Sequence, residues 1–310
     1  MPEGHTVHRI AALFRDHFVG HSLEASSPQG RFREGAALIS GSHLERSEAR
    51  GKQLFLHFEA ERVVRVHLGI YGAWDVTTLQ GQSVRAGSAQ TLSLGAPRAT
   101  RRRLGESEAL LDADEPFPPA PRGAVRLRLE TPDMVADLRG PTACEVLTLE
   151  ESAAVEARLG PDPLLDKGVR GQREFVRRVR NTARPIGVVL MDQAMVSGIG
   201  NVYRAELLFR HRLDPYQQAS SLPEEVLVEL WKDWATLLAD GVKTGVMMTR
   251  NDLDSAGRKR ALRVAKDRYF VYKREGLPCR ICGTHVQMAL MATRKLYFCP
   301  QCQLSQKVSS

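Results

Sequence analysis

The sequence predicts an α+β protein: a β-rich N-terminal domain led by a helix, then a helical domain, then a metal-bound β-hairpin near the end. Three observations carry this prediction. Short apolar runs separated by turn residues fill much of the first half, helical patterns begin at about Glu150, and two C-x2-C pairs stand sixteen residues apart. We place the domains at 1–148, 165–268 and 269–310, with a linker at 149–164.

The composition favours a polyanionic partner. The 310 residues carry a formal charge of +8 and a pI of about 9.4, although a basic, well-solvated surface is the alternative. Cation clusters at 167–184 and 258–274 favour nucleic acid, because grouped cations release counterions from a phosphate backbone. No apolar run approaches the ~20 residues of a membrane helix, and charges interrupt the N-terminal segment. We therefore expect a cytoplasmic protein with no membrane partner.

A helix and several strands are predicted in the first domain. Thr6 is the predicted N-cap of an amphipathic helix, so Pro2 and Glu3 stand just outside its N-terminus. Apolar runs bounded by turn residues predict strands at 53–58, 62–68, 84–94, 125–129 and 134–138. These strands favour an antiparallel sandwich or barrel. The stretch 95–123 is rich in Pro, Arg and acidic residues and predicts a long loop.

The helical domain contains one segment of special interest. Ser221 and Glu224 predict a capping box, and RLGPDPL (158–164) predicts a connection between domains. In MVSGIGNVYRAELL (195–208), two glycines precede a helix that begins at Asn201. Backbone N–H groups at such a turn can bind a phosphate, whereas Gly-x-Gly alone is more often an ordinary turn.

Four cysteines predict a metal site. Cys279, Cys282, Cys299 and Cys302 have the spacing of a zinc ribbon or zinc finger. Four thiolates complete a tetrahedron and leave no open position, so the predicted Zn²⁺ is structural; two disulfides are the alternative. Cys144 is left over and is predicted to be a small buried hydrophobe.

The segment between the cysteine pairs, HVQMALMATRKLYF, predicts two short strands joined by a turn near 292–295. Arg294 and Lys295 lie at this turn. A hairpin held by zinc can enter a DNA groove with such a tip, whereas the same cations can also be solvated turn charges.

Several segments, in order along the chain, resemble the Fpg/Nei family of DNA glycosylases, which comprises formamidopyrimidine-DNA glycosylase and endonuclease VIII. The resembling segments are PEG (2–4), EARGKQLF (48–55), VHLGIYGAW (66–74), LGPDPL (159–164), MDQAMVSGIGNVYRAELLF (191–209) and the cysteine-containing stretch ending in RKLYFCPQCQ (279–303). The resemblance implies a β-sandwich with a leading helix, a helix–two-turn–helix domain and a zinc finger, with damaged DNA bound between the domains.

The resemblance also implies catalytic residues. In this family Met1 is removed, and the amine of Pro2 attacks C1′ of a damaged nucleotide and forms a Schiff base with the opened sugar. Glu3 matches the family's acid/base residue, and Lys52 matches a lysine that binds a phosphate beside the lesion. The implied activity is that of a bifunctional DNA glycosylase and AP lyase of base excision repair, which cleaves the strand by β,δ-elimination.

Four further residues match family contacts to DNA. Asn201 and Arg294 match residues that grip phosphates and bend the duplex. Ile70 and Tyr71 match a loop that fills the space of the flipped nucleotide, with a buried strand end as the alternative for Tyr71. The family implies a monomer that acts on DNA at the nucleoid.

The sequence departs from the family pattern in two places. The usual family opening is PE-x-PE. His5 and Thr6 occupy the positions of its second proline and second glutamate, so the second glutamate is absent. The stretch DLRGPTACEV (137–146) lacks the Arg-Arg-Phe-Gly loop of the formamidopyrimidine branch, so Arg139 is the one cation there for DNA contact. The missing loop, PEG and Tyr71 favour the endonuclease VIII branch and oxidised pyrimidines. Oxidised purines, or a non-catalytic zinc protein that binds DNA, are the alternatives.

Overall fold

The structure is a computed structural model that describes residues 2–78, 93–95 and 117–303. Its contacts divide the chain into two compact units, Met1–Arg158 and Leu159–Ser310, and the division falls inside the predicted linker. Most of the predicted loop 95–123 lies outside the described residues. Among the residues that are described, no helix has both the length and the hydropathy needed to span a bilayer.

The first unit opens with helix α1 (Gly4–His17). Glu3 is its N-cap residue, and the Glu3 carbonyl accepts hydrogen bonds from the N–H groups of Thr6 at 2.9 Å and Val7 at 3.4 Å. The prediction that Thr6 is the N-cap is therefore wrong. The chain turns into the helix earlier, because the backbone of Glu3 is extended and Gly4 is already helical.

Within the described residues, nine antiparallel strands form one continuous sheet. They are β1 (Ser22–Ser26), β2 (Ser42–Arg50), β3 (Gln53–Phe58), β4 (Arg62–His67), β5 (Ala73–Thr78), β6 (Ser93–Gly95), β7 (Val125–Glu130), β8 (Met134–Arg139) and β9 (Ala143–Leu147). Their order is β6-β5-β8-β7-β1-β2-β3-β4-β9. Strand β1 joins the two halves, because Leu23 pairs with Ser42 on β2 whereas Glu24 pairs with Glu130 on β7.

One apolar core lies between the two halves of this sheet and beneath α1. Leu56 comes from one half, Leu127 and Leu138 come from the other, and all three are fully buried. The ring of Phe14 on α1 meets the edge of Trp74 on β5, with ring centroids 4.8 Å apart. The unit is therefore a β-sandwich with a leading helix, which confirms the predicted fold class.

Apolar runs located some of these strands and missed others. The predictions at 53–58, 62–68, 125–129 and 134–138 correspond to β3, β4, β7 and β8. Of the predicted strand 84–94, the described part is 93–94, which belongs to β6. Strand β2 was missed because only three of its nine residues are buried, and one of these is Ser47.

The predicted linker 149–164 begins with a helix. Helix α3 (Leu149–Ala157) carries a capping box: the Thr148 hydroxyl accepts from the Glu151 N–H, and the Glu151 carboxylate accepts from the Thr148 N–H. The helix contacts β4 and β9 and so belongs to the first unit. This corrects the reading of 149–157 as a connection. A further short helix, α2 (Arg33–Ile39), contacts β1.

The second unit contains five α-helices among its described residues and one hairpin. The helices are α4 (Val169–Arg180), α5 (Ile186–Val189), α6 (Asn201–Arg210), α7 (Glu224–Thr244) and α8 (Ser255–Arg263). The hairpin consists of β10 (Gln287–Met291) and β11 (Arg294–Phe298). The predicted capping box of α7 is wrong. Pro223 is the N-cap residue, and the Ser221 hydroxyl donates to the Gln218 carbonyl instead of capping the helix.

The hairpin packs into the core of the second unit. Met291 and Leu296 join the cluster formed by α4 to α7, in which Tyr203 meets the edge of Trp234 at a centroid distance of 4.8 Å. Tyr297, on the other face of β11, belongs to a smaller cluster beside α6. The hairpin is thus held by two apolar clusters, which a two-stranded ribbon needs because it is marginal by itself.

A buried carboxylate connects α6 to the segment that leads into the hairpin. Glu206 is fully buried and accepts hydrogen bonds from the N–H groups of Phe270, Val271 and Tyr272, each at 2.8 Å, and from the Thr249 hydroxyl. Burial raises the pKa of the Glu206 carboxyl, and the four donated hydrogen bonds oppose that rise.

We expect E206A to destabilise the second unit by about 3 kcal/mol or more, because it leaves several buried N–H groups without an acceptor. Urea unfolding followed by tryptophan fluorescence measures the change. The matched control is E229A, which removes an exposed carboxylate paired with Lys232 and should change stability by about 0.5 kcal/mol at most. Equal unfolding midpoints for the two variants would contradict the role assigned to Glu206.

Candidate functional site

The four cysteines of the C-x2-C pairs form a metal centre. Their Sγ atoms all lie within 4.8 Å of one another, with Cys279 3.9 Å from Cys302 and Cys282 3.5 Å from Cys299. A tetrahedral Zn²⁺ with Zn–S bonds of about 2.3 Å places its sulfurs about 3.8 Å apart, so the set fits zinc. All four cysteines are free thiols, which makes the disulfide alternative wrong.

Hydrogen bonds of the Gln303 side chain join the second cysteine pair to the loop after α6. Gln303 is buried; its amide oxygen accepts from the Cys299 N–H at 2.9 Å, and its amide nitrogen donates to the Leu213 carbonyl at 3.1 Å. The metal centre is therefore fixed to the loop that follows α6. Four thiolates leave no position for a substrate, so the zinc is structural.

A two-residue turn forms the tip of the zinc hairpin. Ala292 and Thr293 have φ values of 48° and 63°, and Met291 pairs with Arg294 across the turn. Positive φ at both central residues is the turn geometry that matches the twist of hairpin strands. Arg294 is exposed as the first residue of β11, at the end of the hairpin where the sequence predicted a cationic tip.

The glycine turn places Asn201 at the start of α6. Gln193 shapes this turn: its side chain accepts from the Gly198 N–H at 3.0 Å and donates to the Ile199 carbonyl at 3.0 Å. Asn201 is the first helical residue and is 7% exposed. Its Nδ2 donates to the carbonyl of Lys295 at 2.7 Å, so the turn and the zinc hairpin are directly connected.

The N-terminal residues are ordered and buried. Pro2 is buried, and Glu3 is fully buried at the start of α1. His5, which departs from the family pattern, is 5% exposed, and its Nε2 lies 3.2 Å from the Thr6 hydroxyl. Burial, together with the nearby Arg9 guanidinium, lowers the pKa of His5 to about 3.

Lys52 lies in the two-residue turn between β2 and β3, where Arg50 pairs with Gln53. The sequence reasoning missed its neighbour His67, which pairs with Gln53 from β4. Burial and then the Lys52 ammonium lower the pKa of His67 to about 4. The missed signal was the position of His67 at a strand end beside the family-like Leu68-Gly69 segment.

The two depressed histidine pKa values predict acid-sensitive folding of the first unit. A histidine in the unfolded chain titrates near 6.5. Below that pH, His5 and His67 therefore bind protons in the unfolded chain, whereas they stay neutral in the native state. These two histidines do not lower the free energy of unfolding above about pH 6.5, and they lower it increasingly as the pH falls toward 4. We expect H5Q to flatten this dependence in urea unfolding at pH 7.5 and 5, whereas H21Q, at an exposed histidine, should follow the wild type.

Ile70 and Tyr71 lie in the loop between β4 and β5, and their side chains are 40% and 81% exposed. The alternative that Tyr71 is a buried strand end is therefore wrong. Gly69 has a φ of +64°, and a Cβ there would collide with the Thr142 side chain. The loop can thus keep this shape only with glycine at 69, and the shape presents an aromatic ring to the outside.

Arg139, at the end of β8, is largely covered. Its guanidinium pairs with Asp75 on β5 and donates to the Arg122 carbonyl at 3.1 Å. The side chain is 14% exposed. A contact from Arg139 to DNA stays a prediction, and in this structure the charge of Arg139 is balanced by a neighbouring carboxylate.

Part of the cation cluster at 167–184 is balanced within the protein. Four of its arginines contact carboxylates: Arg177 and Arg178 with Glu174, Arg180 with Glu224, and Arg184 with Asp192. No described carboxylate lies within ion-pair distance of the exposed cations Lys167, Arg170 and Arg173. The first half of the cluster therefore carries the uncompensated charge that a phosphate backbone would require.

A β-sandwich with an ordered N-terminus and a helical unit with a four-cysteine hairpin together define a class, the DNA glycosylases that carry a zinc finger. Three family models match the chain in agreement with this architecture. They are the formamidopyrimidine-DNA glycosylase N-terminal domain over residues 1–135, the formamidopyrimidine-DNA glycosylase H2TH domain over 159–252, and the zinc finger found in FPG and IleRS over 276–304.

Individual relatives agree with these matches. The chain is 38% identical over 303 residues to Endonuclease 8 1 of Mycobacterium tuberculosis, covering 98% of this chain and 100% of that protein. It is also 38% identical to the formamidopyrimidine-DNA glycosylase of Thermus thermophilus, over 146 residues that cover 47% of this chain and 54% of that protein. The chain therefore belongs to the Fpg/Nei family of DNA glycosylases, as the sequence motifs predicted.

Solved structures support the fold. A complex between Lactococcus lactis Fpg and DNA that contains an abasic site matches with a TM-score of 0.71 at 20% identity, over 98% of this chain and 100% of that chain. Within the family, this chain is a DNA-binding repair glycosylase with an Fpg-type zinc finger.

Proposed function

We propose that the protein is a bifunctional DNA glycosylase and AP lyase that removes oxidised pyrimidines and then cleaves the strand. The observation that carries this proposal is the ordered Pro2-Glu3 pair. The Glu3 carbonyl accepts the first hydrogen bonds of α1, so the helix fixes Pro2 at its N-terminus instead of leaving it on a loose tail. A fixed amine and an adjacent carboxyl are what Schiff-base chemistry requires.

In the proposed first step, Met1 has been removed and Pro2 offers a secondary amine. The nitrogen forms a bond to C1′ while the bond from C1′ to the base breaks. The nitrogen gives up its N–H proton, and the departing base takes up a proton, so the proton count is unchanged. Glu3 donates a proton to O4′ as the sugar opens, which leaves an iminium between Pro2 and C1′. An iminium formed from a secondary amine has no N–H to lose, so it stays cationic and withdraws electrons.

In the proposed second step, loss of a C2′ proton breaks the 3′ C–O bond and releases the 3′ phosphate. A further proton loss breaks the 5′ C–O bond and releases the 5′ phosphate. Water then adds to C1′ of the iminium, and the C1′–N bond breaks to give an aldehyde and the free Pro2 amine. These steps need only proton transfers and the electron-withdrawing iminium, and no metal takes part in them.

The remaining site residues are proposed to hold the DNA. Lys52, Asn201 and Arg294 contact phosphates near the lesion and keep the duplex bent. Ile70 and Tyr71 fill the space left by the flipped nucleotide, and the 81% exposure of Tyr71 supports this role. Arg139 is the weakest member of the set, because Asp75 already balances its charge.

The preference for oxidised pyrimidines rests on the endonuclease VIII branch. A relative matched over its full length at 38% identity carries the name Endonuclease 8 1, whereas a formamidopyrimidine-DNA glycosylase matched over its full length is 28% identical. We further propose that the protein acts as a monomer in the cytoplasm, at the nucleoid.

The decisive experiment is borohydride trapping on labelled duplexes that carry thymine glycol, dihydrouracil, an oxidised purine or an abasic site. We expect a covalent adduct with the two pyrimidine lesions and the abasic site, and a gap with phosphates at both ends when borohydride is omitted. Stronger trapping on the oxidised purine would move the protein to the formamidopyrimidine branch. Tight DNA binding without an adduct on any lesion would instead indicate a non-catalytic binding protein.

A further inference from the structure

Arg204 is a buried cation beside the proposed phosphate contacts. It lies on α6, three residues after Asn201, and its side chain is 0% exposed. A buried arginine is costly unless its donors are satisfied, so its contacts indicate what it stabilises.

These contacts converge on two elements that carry proposed DNA-binding residues. The Nη2 of Arg204 donates to the Oδ1 of Asn201 and, at 3.2 Å, to the carbonyl of Lys295. The Nδ2 of Asn201 donates to the same carbonyl at 2.7 Å. Because a guanidinium has only donors, Arg204 fixes the Asn201 amide with its oxygen inward and its nitrogen toward β11.

The same cation reaches a third element. The Nη1 of Arg204 donates to the Gly187 carbonyl of α5 at 3.4 Å. A Cβ at Gly187 would lie 2.7 Å from the Met291 sulfur, and Met291 pairs with Arg294 at the hairpin tip. One guanidinium therefore contacts the first residue of α6, the second residue of α5 and the strand that begins with Arg294.

We propose that Arg204 is a positioning residue that sets the spacing between the Asn201 amide and the Arg294 guanidinium, so that both reach the DNA backbone beside the lesion together. This inference rests on the proposed function, in which Asn201 and Arg294 contact phosphates. Arg204 is buried and does not itself reach a phosphate. An effect of a charge-conserving change at Arg204 on the salt dependence of DNA binding must therefore pass through Arg294.

The test uses the salt dependence of binding to a duplex with a stable abasic-site analogue. Loss of one phosphate contact lowers the slope of log Kd against log salt concentration by about one. We expect R294A to show this loss, and R204K to show the same loss with an affinity about tenfold lower. A lysine ammonium cannot present the planar fork that joins Asn201 to the Lys295 carbonyl.

The matched control is R210K, on the same helix. Arg210 pairs with Asp233 and donates to the Thr249 carbonyl, and neither partner belongs to the Asn201 site or the hairpin. We expect the loss of affinity in R204K/R294A to be smaller than the sum of the two single losses, because both changes disturb the Arg294 contact. R210K should leave the salt slope unchanged and combine additively with R294A.

Zinc content and thermal stability are measured for every variant, and R204Q replaces R204K if the lysine variant is unfolded. An unchanged salt slope in the folded Arg204 variant, or additivity with R294A, would overturn the positioning role. A normal salt slope for R294A together with unchanged affinity for N201A would instead show that the proposed phosphate contacts are wrong, and the inference would fall with them.

Discussion

A form of the protein that keeps a short extension ahead of Pro2 is expected to lose the borohydride-trapped adduct by a factor on the order of 10³ or more. The extension turns the Pro2 amine into an amide, whose nitrogen lone pair is delocalised into the carbonyl and no longer attacks carbon. Affinity for the abasic-site duplex should fall by much less, because the proposed phosphate contacts come from Lys52, Asn201 and Arg294.

Ordinary pKa values explain why the terminal amine is favoured over Lys52 as nucleophile. An α-amine titrates near 8 and a lysine near 10.4, so at neutral pH roughly a tenth of the first and less than about 0.1% of the second is neutral. The ratio is at least about a hundredfold before geometry is considered. The proposed role of Lys52 as a phosphate-binding cation needs the opposite state, because an ammonium must keep its proton.

The control for the blocked N-terminus is the same extension fused to the C-terminus, which should leave the adduct intact. P2G without the extension has a free terminal amine, which is now a primary amine, and it should keep part of the trapping. If the blocked protein still forms the adduct and K52A abolishes it, the nucleophile is a lysine and the assignment of Pro2 is wrong.

The sequence located the features that rest on local spacing. Two C-x2-C pairs predict a set of four thiolates from spacing alone, without knowledge of where the hairpin packs. The Sγ distances confirm this set. Apolar runs located β3 and β4, because nearly every residue of β3 is buried. Family motifs located the N-terminal residues, the glycine turn and the hairpin tip, since each motif is a contiguous stretch.

Features that depend on distant partners could not be found in this way. Arg204 and Glu206 read as ordinary polar residues of an amphipathic helix, yet both are fully buried. Their partners, the Lys295 carbonyl and the N–H groups of 270–272, lie more than sixty residues away in the chain and are backbone atoms, which leave no sequence pattern. His67 was missed for a similar reason, because its environment is set by pairing between β3 and β4.

Removal of the zinc site is expected to have the largest effect on the second unit. We expect C279S to reduce zinc from about one ion per chain to near zero and to weaken binding to abasic-site DNA by about a hundredfold or more. Structural zinc contributes on the order of 10 kcal/mol to the folding of small fingers, and a two-stranded hairpin is marginal without it. Cys279 is also buried, so a serine there leaves a polar group in an apolar cluster.

The effect should extend beyond the hairpin. Leu296 and Met291 belong to the core formed by α4 to α7, and the Lys295 carbonyl accepts the hydrogen bonds of Asn201 and Arg204. A hairpin released from zinc therefore removes apolar contacts from the helical core and an acceptor from the Asn201 site. Thermal unfolding should accordingly show a lower midpoint for the second unit, in addition to the lost affinity.

The matched control is C144A, which removes the remaining cysteine. Cys144 lies on β9 in the first unit, and burial raises its pKa to about 12, so it stays a protonated thiol that packs against the sandwich core. C144A should keep one zinc ion and wild-type affinity. If C279S retained wild-type affinity after its zinc was lost, the hairpin would not be the element that presents Arg294 to DNA. The exposed cations Lys167, Arg170 and Arg173 would then be candidates for the contact assigned to Arg294.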